Sequence, residues 1–121
     1  MLSIVGEPVE GMEEVVRRVS SRVPLGHLSN TNPLHFEYCL QALPVLQHIS
    51  SRFLSYELNA FKPEPAIFAR VIERIPFAPG GVLYIDDLAE NVQAGREVGF
   101  VTHHFTGAQS ILRLLSELNL I

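Results

Sequence analysis

Asp86 and Asp87 are the only aspartates in the chain. They stand side by side where an apolar run, Val82-Leu83-Tyr84-Ile85, gives way to a helical pattern. Two carboxylates at the end of a buried strand repel each other unless a cation or hydrogen-bond donors offset the charge. Such a pair suits a Mg²⁺ or phosphate site at the rim of an α/β sheet. Asn91 follows Asp87 by four residues, one helical turn, and so points back to the same rim. Lys62 lies just before a proline-marked helix start, Pro63-Glu64-Pro65. A cation there opposes the helix dipole, and an anion held between the two resolves the conflict. The segment Leu28-Ser29-Asn30-Thr31-Asn32 offers hydroxyls, amides and the free N–H groups of the next helix, which together cradle an anion. Taken singly, each group has a plainer reading: Asp87 as a helix cap, Lys62 as a solvated lysine, Asn91 as a solvated helix position, and 28–32 as a polar turn.

The elements that must position these residues alternate along the chain. Val9, Met12, Val15, Val16 and Val19 recur at helical spacing with Glu13, Glu14, Arg17 and Arg18 opposite. Residues 25–28 read as a short strand. Asn32-Pro33 reads as a cap and first turn for a helix that Pro44 stops. Strands follow at 52–56, 82–85 and 100–104, separated by helices carrying Ile67, Phe68 and Val71, and Leu88, Val92 and Val98. Thr106 with Gln109 resembles a capping box for a last helix burying Ile111, Leu112, Leu115 and Leu118. Strands alternating with helices imply a mostly parallel sheet of four or five strands between helix layers, a three-layer Rossmann-like α/β fold with its site where the strands end.

Composition sets the bounds. The 121 residues make one domain, 1–121, with 47% hydrophobic and 18% charged residues, as in an ordinary globule. A net charge of −4 and no basic stripe argue against nucleic acid as a partner. No apolar run is long enough for a membrane span, and no signal peptide is visible. The single cysteine, Cys39, excludes an internal disulfide and fits a reducing, cytoplasmic compartment; on its helix it reads as a buried thiol. His103 and His104 adjoin a strand end, but neighbours on a strand face opposite ways and make poor joint metal ligands. His27 and His35 read as satisfied or solvated histidines.

The order of these groups, hydroxyl and amide, then lysine, then paired aspartates, resembles the carboxyl-terminal part of a haloacid dehalogenase-superfamily (HAD) hydrolase core. Leu28-Ser29-Asn30-Thr31-Asn32 is similar to that family's second motif, and Lys62-Pro63-Glu64-Pro65-Ala66-Ile67-Phe68 to its third. Residues 84–91, continuing through 94–99, are similar to its fourth. The resemblance covers about residues 7–121 and implies Mg²⁺-assisted phosphoryl transfer, or dehalogenation, on a small phosphorylated or acidic molecule. It implies that Ser29 and the Asn30 backbone bind the phosphoryl group and that Lys62 neutralises its charge. Asp87 would ligate Mg²⁺, with Asp86 ligating it or holding its water, and Asn91 would orient them.

The family's first motif, an aspartate nucleophile with a second aspartate two residues on, is absent: no aspartate precedes Asp86. So is the cap. The resemblance therefore implies a core truncated at its N-terminus, with weak Mg²⁺ affinity and little turnover. It leaves open a non-catalytic phosphate-binding or assembly module instead. The central strand that bears the first motif also needs a substitute. Leu2-Ser3-Ile4-Val5, apolar and β-branched, is the favoured one, placing Gly6-Glu7 near the nucleophile position. A strand donated by a second copy or another protein, or a partner segment elsewhere, would serve the same end.

Overall fold

The structure is a computed structural model, and it describes residues 2–5, 12–49 and 51–119. Five strands form one all-parallel sheet in the order β3-β2-β1-β4-β5. They are β1 (Leu2–Val5), β2 (Leu25–Ser29), β3 (Ser51–Leu54), β4 (Val82–Asp86) and β5 (Val101–His104). The helices are α1 (Met12–Val19), α2 (Pro33–Ala42), α3 (Ser55–Leu58), α4 (Pro65–Arg74), α5 (Ala89–Glu97) and α6 (Ala108–Glu117). No helix among the described residues is long and apolar enough to cross a membrane.

The central position is filled from within the chain. Residues 2–5 pair with β2 on one side, Val5 opposite His27, and with β4 on the other, Val5 opposite Ile85. The substitute strand read from the apolar run at Leu2–Val5 therefore forms, and no donated strand is needed to join β2 to β4. Gly6 and Glu7 lie outside the described residues.

Each face of the sheet carries its own core, and β4 shows why. Its side chains alternate faces. Leu83 and Ile85 join Val15, Val16, Val19, Ile111 and Leu115 beneath α1 and α6. Val82 and Tyr84 join Leu28, Phe53, Ile67, Phe68, Val71 and Phe100 toward α4 and α5. All five residues of β4 are buried, as an interior strand covered on both faces requires. Asp86 shares the Tyr84 face, so the strand's period delivers a carboxylate to the edge of an aromatic core. Gly95 of α5 lies over the Tyr84 ring, where a β-carbon would come 2.5 Å from Cδ2.

Three local expectations change. The strand at 52–56 ends at Leu54, and Ser55 opens α3 instead. Thr106 is not the cap of α6; that position falls on Gly107, with no side-chain cap bond. Asp87 is not the cap of α5; Leu88 is, and its N–H donates to the Asp86 carboxylate. The Asn32 cap of α2 forms as its sequence suggests, accepting the His35 N–H at 2.9 Å.

Candidate active site at the carboxyl rim of the sheet

The buried polar residues among those described are His27, Ser29, Ser55, Lys62, Asp86 and Asn91. All but His27 gather at the carboxyl ends of β2, β3 and β4. Buried charges persist only where they are paired, so the cluster is a constructed feature.

Asp86 is its centre. Its Oδ2 accepts hydrogen bonds from Lys62 Nζ (3.0 Å), Tyr84 Oη (2.5 Å) and Asn91 Nδ2 (3.2 Å). Its Oδ1 accepts the Leu88 N–H at 3.0 Å. Burial alone would raise the Asp86 carboxyl above its ordinary range. The Lys62 ammonium, the Tyr84 hydroxyl and the Leu88 N–H outweigh it and hold the group low, hence ionised. Lys62 is equally enclosed: the two side chains are 1% and 0% exposed, and Nζ also donates to the Leu28 carbonyl at 3.2 Å. The ammonium thus bridges the ends of β2 and β4 across the width of β1.

Asp87 is the other kind of carboxylate. It is exposed, and partial desolvation together with the hydrogen bond and charge of Asp86 pushes it up. Two oxygen-rich side chains crowding at one rim, one of them raised by its neighbour, suit a hard divalent cation that would relieve the repulsion. Among the described residues no group of three or more His, Cys, Asp or Glu could hold a metal. Asp86 and Asp87 would therefore supply part of a Mg²⁺ shell, consistent with an ion that keeps several waters and shares ligands with phosphates.

Ser29 ends β2, buried and in register with Leu54. The Asn30 side chain bonds the Lys62 backbone by both of its polar groups. Its Oδ1 accepts the Lys62 N–H (2.8 Å) and its Nδ2 donates to the Lys62 carbonyl (3.1 Å). Asn91 points at Asp86, not at Asp87. Two contributors escaped sequence reading. Tyr84 counted as core, although its spacing of two from Asp86 on a strand puts both on one face. Ser55 counted as strand, yet its hydroxyl holds Thr31 by both N–H (2.8 Å) and carbonyl (2.9 Å).

The remaining candidates stay apart. His103 approaches Ser110 (3.4 Å), and His104 approaches the Asp87 carbonyl (2.9 Å), so the pair diverges as strand geometry requires. Cys39 is half-buried and not fully buried as its sequence suggests; it packs against the core beneath α1 and α6, with its sulfur 3.5 Å from His35 Nε2. His27 lies buried against the Phe36 ring.

The family profile of haloacid dehalogenase-like hydrolases matches residues 2–99. The D-ribitol-5-phosphate phosphatase of Bacteroides thetaiotaomicron is 35% identical over 81 residues, 62% of this chain and 39% of that protein. The chloroplast flavin mononucleotide hydrolase 1 of Arabidopsis thaliana is 24% identical over 112 residues, 93% of this chain and 46% of that protein. The chain thus spans less than half the length of the curated relatives it matches. Among solved structures, a HAD family enzyme of Bacteroides thetaiotaomicron in complex with magnesium and inorganic phosphate is similar with a TM-score of 0.71 and 28% identity, over 82% of this chain and 52% of that one. A protein of Corynebacterium glutamicum shares the fold over nearly the whole of both chains, 99% and 96%, with a TM-score of 0.78 and 20% identity.

Proposed function

Since the chain belongs to the haloacid dehalogenase-like hydrolases, we propose that its rim binds the phosphoryl group of a small phosphate monoester together with Mg²⁺. The observation that carries this reading is the buried Lys62–Asp86 pair, with Nζ 3.0 Å from Oδ2 at the junction of three strand ends. A lysine fixed there offers positive charge to phosphoryl oxygens without reorganisation, which is how preorganised sites stabilise developing charge. Ser29 would hydrogen-bond the phosphoryl group from the end of β2. Asp87, the exposed carboxylate, would be the direct Mg²⁺ ligand, and Asp86 would ligate the ion through Oδ1, which accepts only the Leu88 N–H, or hold its water. Mg²⁺ held there would supply charge neutralisation to the phosphoryl oxygens. A phosphate ester is preferred to a carbon–halide bond because the phosphatase and the flavin mononucleotide hydrolase among the relatives are named for phosphate esters.

Binding is what these residues can do; the covalent step needs an aspartate that this chain does not contain. We therefore expect phosphate and Mg²⁺ to bind with little turnover by the chain alone. The alternative of a non-catalytic assembly module joined through its N-terminal strand loses support from the pairing of β1 on both sides. Titration calorimetry with inorganic phosphate and MgCl₂ tests the reading. Binding should be mutually enhanced, with the Mg²⁺ dependence lost in Asp87→Ala and the phosphate signal lost in Lys62→Met. Absence of any phosphate heat at millimolar concentration, with the chain folded, would remove it.

A further inference from the structure

Two side chains at this rim grip backbone by both of its polar groups. Ser55 Oγ accepts the Thr31 N–H at 2.8 Å and donates to the Thr31 carbonyl at 2.9 Å. Asn30 does the same to Lys62, at 2.8 and 3.1 Å. Asn30 and Thr31 are consecutive, so the two grips form one line. It starts at Ser55, fully buried at 0% exposure where edge strand β3 ends. It crosses the loop after β2, reaches the Lys62 backbone and closes on Asp86 through the ammonium.

This line matters because of where Lys62 sits. It belongs neither to α3, which ends at Leu58, nor to α4, which begins at Pro65. Neither helix hydrogen bonds nor the sheet ladder fix its backbone, yet its ammonium has to meet Asp86 within hydrogen-bond distance. One hydrogen bond would let the Lys62 peptide swivel. A donor and an acceptor from a single amide fix direction as well as distance. Charged groups perform only when held within fractions of an ångström by such supporting bonds.

We infer that Asn30 and Ser55 are the positioning residues of the anion site: Ser55 sets the loop that carries Asn30, and Asn30 sets the backbone from which Lys62 reaches the rim. The consequence for phosphate rests on the function proposed above; the placement of Lys62 does not.

The chain supplies its own probe, because Lys62 is its only lysine. Lysine labelled with ¹³C and ¹⁵N gives a single ε-CH₂/NH₃⁺ signal, and inorganic phosphate titration gives a second readout. In the unsubstituted chain the signal should be displaced from that of a solvated lysine and exchange slowly with water. Asn30→Ala should move it toward the solvated position and weaken phosphate binding about tenfold, the equivalent of one or two lost hydrogen bonds. Asn30→Asp, which keeps the acceptor for the Lys62 N–H but loses the donor to its carbonyl, should fall between. Ser55→Ala should shift the signal the same way by less, and add nothing in the Asn30→Ala background, since the two act in series. A folded Asn30→Ala or Asn30→Asp chain whose lysine signal stays put would overturn the inference. So would full additivity of Ser55→Ala and Asn30→Ala. If the unsubstituted chain binds no phosphate, the proposed function fails while the lysine signal still decides the positioning.

Discussion

Strands β4 and β5 lie side by side, Asp86 opposite His104; β5 ends in His103 and His104, and β4 ends in Asp86 with Asp87 directly after it. The two ends are nevertheless opposites. β4 is interior and wholly buried; β5 is the sheet edge, with Val101 46% exposed. At β4 the buried Asp86 keeps its charge, because Lys62, Tyr84, Asn91 and the Leu88 N–H converge on it. At β5 the half-buried His103 meets a serine and a neighbouring histidine, and its tendency is to shed its charge. Adjacent chemically competent residues are therefore not a site in themselves. A site appears where separate loops bring compensating partners to one strand end, and only interior strands receive loops from both sides.

The sharpest way to break this comparison is to remove the partner of the buried charge. Lys62→Ala leaves Asp86 buried without its cation, and should cost roughly 3–5 kcal/mol in urea unfolding at neutral pH. His104→Ala, which removes an exposed ring bound to one carbonyl, should cost under about 0.5 kcal/mol. Comparable costs for the two would mean that the Lys62–Asp86 pair is no more structural than a surface contact.

The next effect tests the packing behind the carboxylate. Gly95→Ala places a β-carbon 2.5 Å from Tyr84 Cδ2, in a buried contact between α5 and β4. Tyr84 cannot retreat without withdrawing its hydroxyl from Asp86, so an overpacking cost of about 1–3 kcal/mol is expected. Tyr84→Phe removes the hydroxyl but keeps the ring, and should cost about 1.5–3 kcal/mol, the range of a hydrogen bond to a charged group. Phosphate binding measured alongside separates the two: Gly95→Ala should disturb it more, since the ring it displaces borders the whole β4 end.

Much of this was legible in the sequence, and for identifiable reasons. The apolar, β-branched run at Leu2–Val5 marked a buried strand, and that strand fills the centre of the sheet. Asn32-Pro33 marked a helix start because the cap and the proline act locally. Lys62 and Asp86 were singled out by the strand and helix ends they occupy. The misses share a cause. In sequence Tyr84 reads as a core ring with nothing to mark its hydroxyl, and Ser55 reads as part of a strand that ends one residue earlier. The grip of Asn30 on Lys62 spans 32 residues of chain. Periodicity reports which face a residue occupies, and carries nothing about which distant backbone its polar atoms meet. Thr106 failed for the converse reason: a capping pattern was present, but the helix begins after Gly107.

The smallest effect sharpens the comparison from the β5 side. His103 is held below the ordinary histidine range, first by partial burial and then by the charge of His104 on the same strand; the group facing it from α6 is the neutral Ser110. Its proton is therefore bound more readily in the unfolded chain than in the folded one. Between the lowered value and the ordinary one the unfolded state carries more protons, so stability rises with pH across that window. The contribution is complete above the ordinary histidine range and is lost as pH falls through it toward the lowered value. Unfolding free energies measured in steps from pH 7 to pH 5 should show this slope, and His103→Gln should flatten it. If His103→Gln leaves the slope intact, the edge strand does not shed charge on folding, and the contrast with β4 narrows to burial alone.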